Sequence, residues 1–378
     1  MPLSAQPPSS DAIELDVAKK VKNAKNFRQI CSIFGYQHED HPIVTDDGYL
    51  LLLQRILPKG GTTNAEGQRR VVYMQHGLLT NSELFMRVTD SRKCIPLVLA
   101  DQGYDVWMGN NRGNKYSRRH LHKKVDSPEY WDFCIDDFAR HDIPTSIDYV
   151  LKHTGQEKLS YIGFSQGTAQ AFASLSVHPD LNEKIDVFIA LAPIMVPPGY
   201  SFSYLDSFVK RDPSIIYRIF GRKSMFPSVA MWQSILPASI LHRIVDVAVM
   251  YLLGFYNKNI TYAQKIAAYN NIYCSSSVKA VVHWSQIMRN SVFSTYEDGA
   301  GRSASSLTPY PTQGIKTPIV LIYGDHDSLF DLETALKHLP QNIKCRRLYD
   351  YEHLDVLWGG KVHEDVIPKV LEALVPCR

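Results

Sequence analysis

The chain has 378 residues, 45% of them hydrophobic, enough for one large core carrying an inserted region or for two ordinary domains. Its 41 basic and 38 acidic residues leave a net charge of +3, with no Lys/Arg block denser than short clusters such as Arg118-Arg119-His120, which argues against nucleic acid as a partner. The six cysteines (Cys31, Cys94, Cys134, Cys274, Cys345, Cys377) show no CxxC pair and no zinc-like Cys/His spacing, so they read mostly as small buried hydrophobes.

In chain order, Met1 to Asp11 is rich in Pro and Ser and lacks the basic start and apolar core of a secretory leader. Residues 1–11 are expected to be a disordered tail, and the chain to work in a reducing compartment, where the Asn259-Ile260-Thr261 sequon has no significance. Ala12 to Phe34 has helical spacing, and His41 to Leu57 reads as two strands around an Asp46-Asp47-Gly48 turn. Apolar strand-like runs then alternate with helical segments: Val71 to Met74, Tyr104 to Trp107, Leu159 to Gly163, Val187 to Ala192, Pro318 to Tyr323 and Cys345 to Tyr349. This alternation predicts an α/β fold, with a mostly parallel central sheet flanked by helices.

The rhythm stops between about Val196 and Thr308, where helical patterns follow one another without strand runs, and it resumes at Ile315. We therefore expect one core formed by residues 12–195 and 309–378, with an inserted, mainly helical cap over 196–308. Within the cap, Ile244 to Phe255 is apolar but interrupted by Asp246. No stretch reaches the roughly eighteen uncharged apolar residues of a membrane-spanning helix, so this run reads as a buried helix or as a face that touches lipid.

The strongest chemical signal is Gly163-Phe164-Ser165-Gln166-Gly167, a G-x-S-x-G pattern between the strand Leu159 to Ile162 and a helix around Thr168 to Ser176. Five-residue patterns arise by chance, but here the context is strand, turn, helix, and glycines at the flanks let strand and helix approach closely enough to hold a serine out over the sheet edge. A serine hydroxyl needs a base and a group that orients the base. His353 follows the last strand run and is the candidate base, with His363 on the final helix as its rival. After the run Pro318 to Tyr323, three carboxylates compete for the orienting role. Asp327 is the candidate, Asp325 the alternative, and Asp331 stands where a helix N-cap over Leu332 to Leu339 would sit. The oxyanion of acyl transfer needs backbone donors; the amides of Gln166 and of Leu78, in Gln75-His76-Gly77-Leu78-Leu79, are the candidates, with His76 a structural ring beneath them.

With these residues in place the chain resembles the acid lipase family of the α/β-hydrolase fold, which contains gastric and lysosomal acid lipases and fungal steryl ester hydrolases. The marks are Gly103-Tyr104-Asp105-Val106-Trp107-Met108-Gly109-Asn110-Asn111-Arg112-Gly113, Tyr130-Trp131-Asp132-Phe133, and Asp142-Ile143-Pro144 leading into Ile147-Asp148-Tyr149. Val281-Val282-His283-Trp284-Ser285-Gln286, and His353-Leu354-Asp355 with Trp358, add to them. The resemblance runs from about Phe27 to Leu374. It implies Ser165 as nucleophile, Asp327 as acid, His353 as base, Leu78 and Gln166 as oxyanion donors, and no metal or organic cofactor.

The stretch from Asn110 to Ser117 and Asp136-Asp137-Phe138-Ala139 lie closer to the fungal branch than to the secreted animal enzymes. That likeness implies an intracellular enzyme at lipid droplets or membranes, acting on water-insoluble steryl esters or triacylglycerols at a lipid–water interface. That branch commonly has an apolar anchor ahead of the catalytic domain, where this chain has a short Pro/Ser-rich tail. The competing functions are an esterase or peptidase for small soluble substrates on the same fold, and a lipid-binding protein with a lapsed site; the five complete site positions weigh against the latter.

Overall fold

The computed structural model describes residues 10–57, 69–201, 203–212, 214–227, 229, 233, 235–271, 273–298, 307–341 and 343–375. Most of the expected tail and Cys377 lie outside these residues. Ser10 and Asp11, assigned to that tail from sequence, instead open the first helix, α1 (Ser10–Asn23). The helical stretch 12–34 is two helices, because the Asn26 side chain caps a second one, α2 (Phe27–Ile33), by accepting the Gln29 amide at 3.0 Å.

The hairpin β1 (His38–Val44) and β2 (Tyr49–Ile56) turns at Gly48, whose φ of +94° suits glycine. Then come β3 (Val71–Gln75), α3 (Ile95–Asp101), β4 (Asp105–Met108), β5 (Arg119–His120), α4 (Ile135–Asp137), α5 (Ile143–Thr154), β6 (Leu159–Phe164), α6 (Gln166–Val177), α7 (Leu181–Lys184) and β7 (Ile185–Leu191). Among the described residues five helices follow: α8 (Ser203–Arg211), α9 (Ser214–Phe220), α10 (Ala238–Leu253), α11 (Tyr262–Tyr269) and α12 (Val278–Asn290). The chain returns through β8 (Ile319–Gly324), α13 (Leu332–His338), β9 (Ile343–Leu348), α14 (Asp355–Trp358), α15 (Val362–Asp365) and α16 (Ile367–Leu374).

The strands form one sheet in the order β1-β2-β4-β3-β6-β7-β8-β9, with β5 beside β2, and every pair from β4 to β9 is parallel. Parallel strands require crossovers, which leave helices on both faces and so demand apolar residues on both. Alternation along each strand supplies them. Val72, Ile162, Ile189 and Ile322 join Phe27, Met86, Trp358 and Leu374 in one core. Tyr73, Tyr161, Phe188 and Leu321 join Trp131, Phe133 and Phe172 in the other.

Arg112 ties the hairpin turn to the sheet end. Its buried guanidinium bonds Asp47 at 2.6 Å and Asp142 at 2.6 Å, and lies 4.0 Å over the Tyr49 ring. Asp142 is buried with it, and that burial raises its carboxyl pKa against the lowering effect of Arg112. Removing the cation would strand the carboxylate, so Arg112→Met should cost about 3–5 kcal/mol of stability, seen as an earlier urea midpoint, and Arg112→Met with Asp142→Leu should recover much of it.

α10 shows what the sequence run Ile244 to Phe255 does. Ile240, Ile244, Val247 and Tyr251 form one exposed stripe at helical spacing. Asp246, which interrupts the run in sequence, faces inward and accepts from Lys265 (2.8 Å), Tyr269 (3.1 Å) and Asn257 (3.3 Å), so the outward stripe carries no acidic group, and exposed Arg243 stands beside it. The helix stops at Gly254, where φ is +77° and a Cβ would meet Ser201 Oγ at 2.4 Å. Among the described residues no helix is long and apolar enough to cross a membrane. α1 packs on α11 through Ala18, Val21, Ala263, Ile266 and Ala267, a contact between the first helix and the inserted stretch.

Candidate active site

Ser165 occupies the turn between β6 and α6 with φ 54° and ψ −125°, a conformation that L-residues avoid. Close packing enforces it. A Cβ on Gly163 would lie 2.8 Å from the Gly167 backbone, and one on Gly167 would lie 2.2 Å from Gln75 O. Strand, turn and helix therefore touch backbone to backbone, and Ser165 is pushed out at the carboxyl end of the sheet. Its own amide donates to Leu191 O at 3.1 Å, and its carbonyl accepts from the Thr168 amide at 2.8 Å and hydroxyl at 2.7 Å.

The loop after β3 lies against this turn: a Cβ on Gly77 would come within 3.0 Å of Ser165 Cβ. Leu78 and Gln166 both line the cavity in front of Ser165, and neither backbone amide donates to an acceptor among the described residues. That leaves two N–H groups for a ligand oxygen. His76 holds the loop from beneath. Its Nε2 accepts the Asn111 amide at 3.1 Å, which places the proton on Nδ1, where it donates to Gly77 O at 2.8 Å. Burial lowers its pKa from 6.5 to about 4.

This shift has a definite sign. The native ring resists protonation while the unfolded ring takes it up near pH 6.5, so the unfolded state binds more protons between the two values. The stability contributed by neutral His76 is complete above pH 6.5 and is lost as pH falls to about 4. Asp355 opposes it: burial raises its carboxyl to about 6, so its ionised form costs stability that is regained as pH falls through that value toward the ordinary carboxylate range. For His76 the expected result is a ring whose carbon-bound proton resonances stay flat from pH 8 to about 5; titration near pH 6.5 would refute the burial argument.

The three carboxylates after β8 separate cleanly. Asp331 caps α13 by accepting the Thr334 amide at 2.7 Å. Asp325 pairs with Arg347 at 2.9 Å and accepts the Asp350 amide at 2.7 Å. Asp327 is buried, with Oδ1 accepting the Leu329 amide at 3.0 Å and Oδ2 2.8 Å from His353 Nδ1. Close backbone contact joins the two loops, since a Cβ on Gly324 would meet Tyr351 O at 2.0 Å. His363 sits 3.4 Å from Glu364 on α15 and does not line the cavity.

The His353 ring is held between Phe164 (centroids 5.2 Å) and Phe255, on which it stacks at 5.5 Å and 3°. With Nδ1–H directed to Asp327, Nε2 carries the free lone pair. Ser165 and His353 line one cavity of about 260 Å³, whose wall is mostly apolar and includes Leu79, Val249, Leu253, Trp284 and Met288. Ser165 Oγ makes no hydrogen bond to His353 among the described residues; in catalytic sites of this kind such contacts often form only when substrate is bound.

Sequence reasoning missed how the insertion completes this site. Phe255 closes one face of His353, and Glu352 accepts the amides of Tyr256 (2.9 Å) and Asn257 (2.6 Å), fixing the chain after α10. The Trp284 indole donates to Gln166 Oε1 at 2.8 Å. Asn259 of the sequon donates to Asp350 O at 2.5 Å and Asp355 at 3.0 Å, so its amide nitrogen is engaged within the fold.

Among the described residues three groups elsewhere bring possible metal ligands together: Glu39, His41 and His153; Asp46, Asp47 and His141; and Cys134, Asp136 and His283. Each has a carboxylate already engaged, Glu39 with Arg55, Asp47 with Arg112, and Asp136 with the Tyr296 amide and the Tyr310 hydroxyl. None of their members lines the cavity.

A serine at a strained turn, an imidazole paired with a buried carboxylate, and two free amides beside one apolar cavity are groups of the kinds that acyl transfer uses. Comparison with known proteins agrees. The α/β hydrolase fold family model matches residues 70–360, and a partial α/β-hydrolase lipase region matches residues 27–88. A Schizosaccharomyces pombe protein named "probable lipase" is 46% identical over 361 residues, covering 94% of this chain and 81% of that one. Bovine gastric triacylglycerol lipase is 32% identical over 371 residues, covering 95% and 93%. A solved structure from Sulfolobus solfataricus superposes with a TM-score of 0.58 at 17% identity, covering 89% of this chain and 93% of that one.

Proposed function

The chain belongs to the α/β-hydrolase family, among its lipases, and is an ester hydrolase; from that premise we propose that it cleaves water-insoluble lipid esters through an acyl-enzyme on Ser165. His353 takes the Ser165 proton as Oγ attacks the ester carbonyl, and the Leu78 and Gln166 amides receive the oxyanion. The proton passes from His353 to the departing alcohol. His353 then activates water, which releases the fatty acid and restores Ser165, while Asp327 holds the imidazole tautomer and stabilises its cation.

The observation that carries this proposal is that His353, paired in the buried interior with Asp327 at 2.8 Å, lines the same apolar cavity as Ser165. The lipid substrate is supported by that cavity's apolar wall and by the apolar stripe on α10, edged by exposed Arg243, whose helix also contributes Val249 and Leu253 to the cavity. In this reading residues 196–308 act as a lid, α10 rests on the surface of an intracellular droplet or membrane, and steryl esters or triacylglycerols are drawn from it.

Fatty-acid release from emulsified cholesteryl oleate, emulsified triolein and soluble p-nitrophenyl butyrate tests the proposal, and the ratio of the first two identifies the natural ester. Ile244→Asp with Val247→Asp should lower the emulsion rates about tenfold or more while holding the butyrate rate within about twofold. Activity confined to the butyrate in the unaltered enzyme would instead mark an esterase for small soluble esters.

A further inference from the structure

Gln166 has two chemical faces. Its backbone amide is one of the two free donors beside Ser165, and its side chain, buried at 1% exposure, accepts the Trp284 indole N–H at 2.8 Å. An indole nitrogen only donates, so this bond fixes the carboxamide with Oε1 toward Trp284 and Nε2 away from it. Nε2 is itself buried without a partner among the described residues, so the side chain is held from one end alone.

Trp284 comes from α12, which is fastened to the core. Ser277, its N-cap, donates to Phe133 O, and Lys279 pairs with Asp132 at 2.9 Å. Within the inserted stretch, His283 bonds Ser294 O at 2.8 Å. The helix is thus a fixed support from which one hydrogen bond reaches the residue after the nucleophile. The peptide joining Ser165 to Gln166 follows a serine at φ 54°, and its rotation would both relax the serine and swing the amide away from the cavity; Thr168 holds that peptide at the Ser165 carbonyl, and the Trp284 bond adds a hold on the Gln166 side.

We propose that Trp284 is a positioning residue for ester hydrolysis: its bond to Gln166 Oε1 holds the Gln166 backbone amide toward the oxyanion, making α12 a working part of the active site. This rests on the serine mechanism above and assigns a task to the insertion beyond covering the cavity.

The test is a double-mutant cycle on p-nitrophenyl butyrate. Trp284→Phe keeps an aromatic ring in the wall and removes the donor; Gln166→Met keeps the backbone amide and the side-chain length and removes the acceptor. Each should lower kcat about tenfold with KM within about twofold, and the double variant should be no slower than the slower single one. Inhibition by an alkyl trifluoromethyl ketone, whose serine adduct carries the oxyanion, should weaken by the same factor, while binding of the fatty-acid product is unchanged.

Additive losses, an effect confined to KM, or full kcat in either single variant would overturn the proposal. Should Trp284→Phe fail to fold, Gln166→Met carries the same decision alone. Ser165→Ala separates the two levels. If it is inactive while both single variants keep full kcat, only the role of Trp284 falls; if it stays active, the serine mechanism and the role of Trp284 fall together.

Discussion

Ser165→Ala should lower kcat for ester hydrolysis by at least about 10⁴-fold while leaving the fold and substrate binding intact. The size of the loss follows from the division of labour in the site. Without Oγ no acyl-enzyme forms, and His353 has no nucleophile in place. What survives is the contribution of the two amides and of the apolar cavity, which orient an ester but do not attack it. Stability should change little or rise slightly, since Ser165 Oγ makes no hydrogen bond among the described residues; alanine does, however, keep the φ of 54° that makes the turn strained.

Asp327→Asn should be nearly as damaging, about 10³- to 10⁴-fold in kcat, for a different reason. The Leu329 amide, 3.0 Å from Asp327 Oδ1, will keep the carboxamide oxygen of the variant, which turns the NH₂ group toward His353 Nδ1. Nδ1 must then accept, the imidazole proton moves to Nε2, and the ring presents a donor where Ser165 needs an acceptor. Asp325→Asn supplies the contrast. Its carboxylate serves Arg347 and the Asp350 amide on the outer side of the loop, so kcat should stay within about twofold, with at most about 1 kcal/mol of stability lost. Steady-state kinetics on a soluble ester with thermal melts of all three variants checks both results. Equal losses at Asp325 and Asp327 would contradict the assignment.

Much of this was legible in the chain because it is local. The strand runs show as short apolar segments, the hairpin as Asp-Asp-Gly, and the strained turn at Ser165 as glycines two residues either side of it between a strand and a helix. The choice among Asp325, Asp327 and Asp331 also had a local component, since Asp331 precedes a helical pattern. What the sequence could not display are contacts set by the third dimension. Asp246 reads as an interruption of an apolar run, yet the partners that turn it inward, Lys265 and Tyr269, are set by how α11 docks. The Trp284–Gln166 bond joins residues 118 positions apart. Ser10 and Asp11 belong to α1 and not to a tail because α1 gains an apolar partner in α11, more than 200 residues away, and a helix with a partner extends further than its own propensity dictates.

The central claim is that the acyl group is carried on Ser165, and the most direct measurement is stoichiometric labelling with an alkyl p-nitrophenyl phosphonate, followed by peptide mass spectrometry. One equivalent of phosphonyl group on Ser165, with activity lost in proportion to labelling and no labelling of Ser165→Ala, is the result expected. Full activity in quantitatively labelled enzyme, or a label at another residue with Ser165 unmodified, would contradict it.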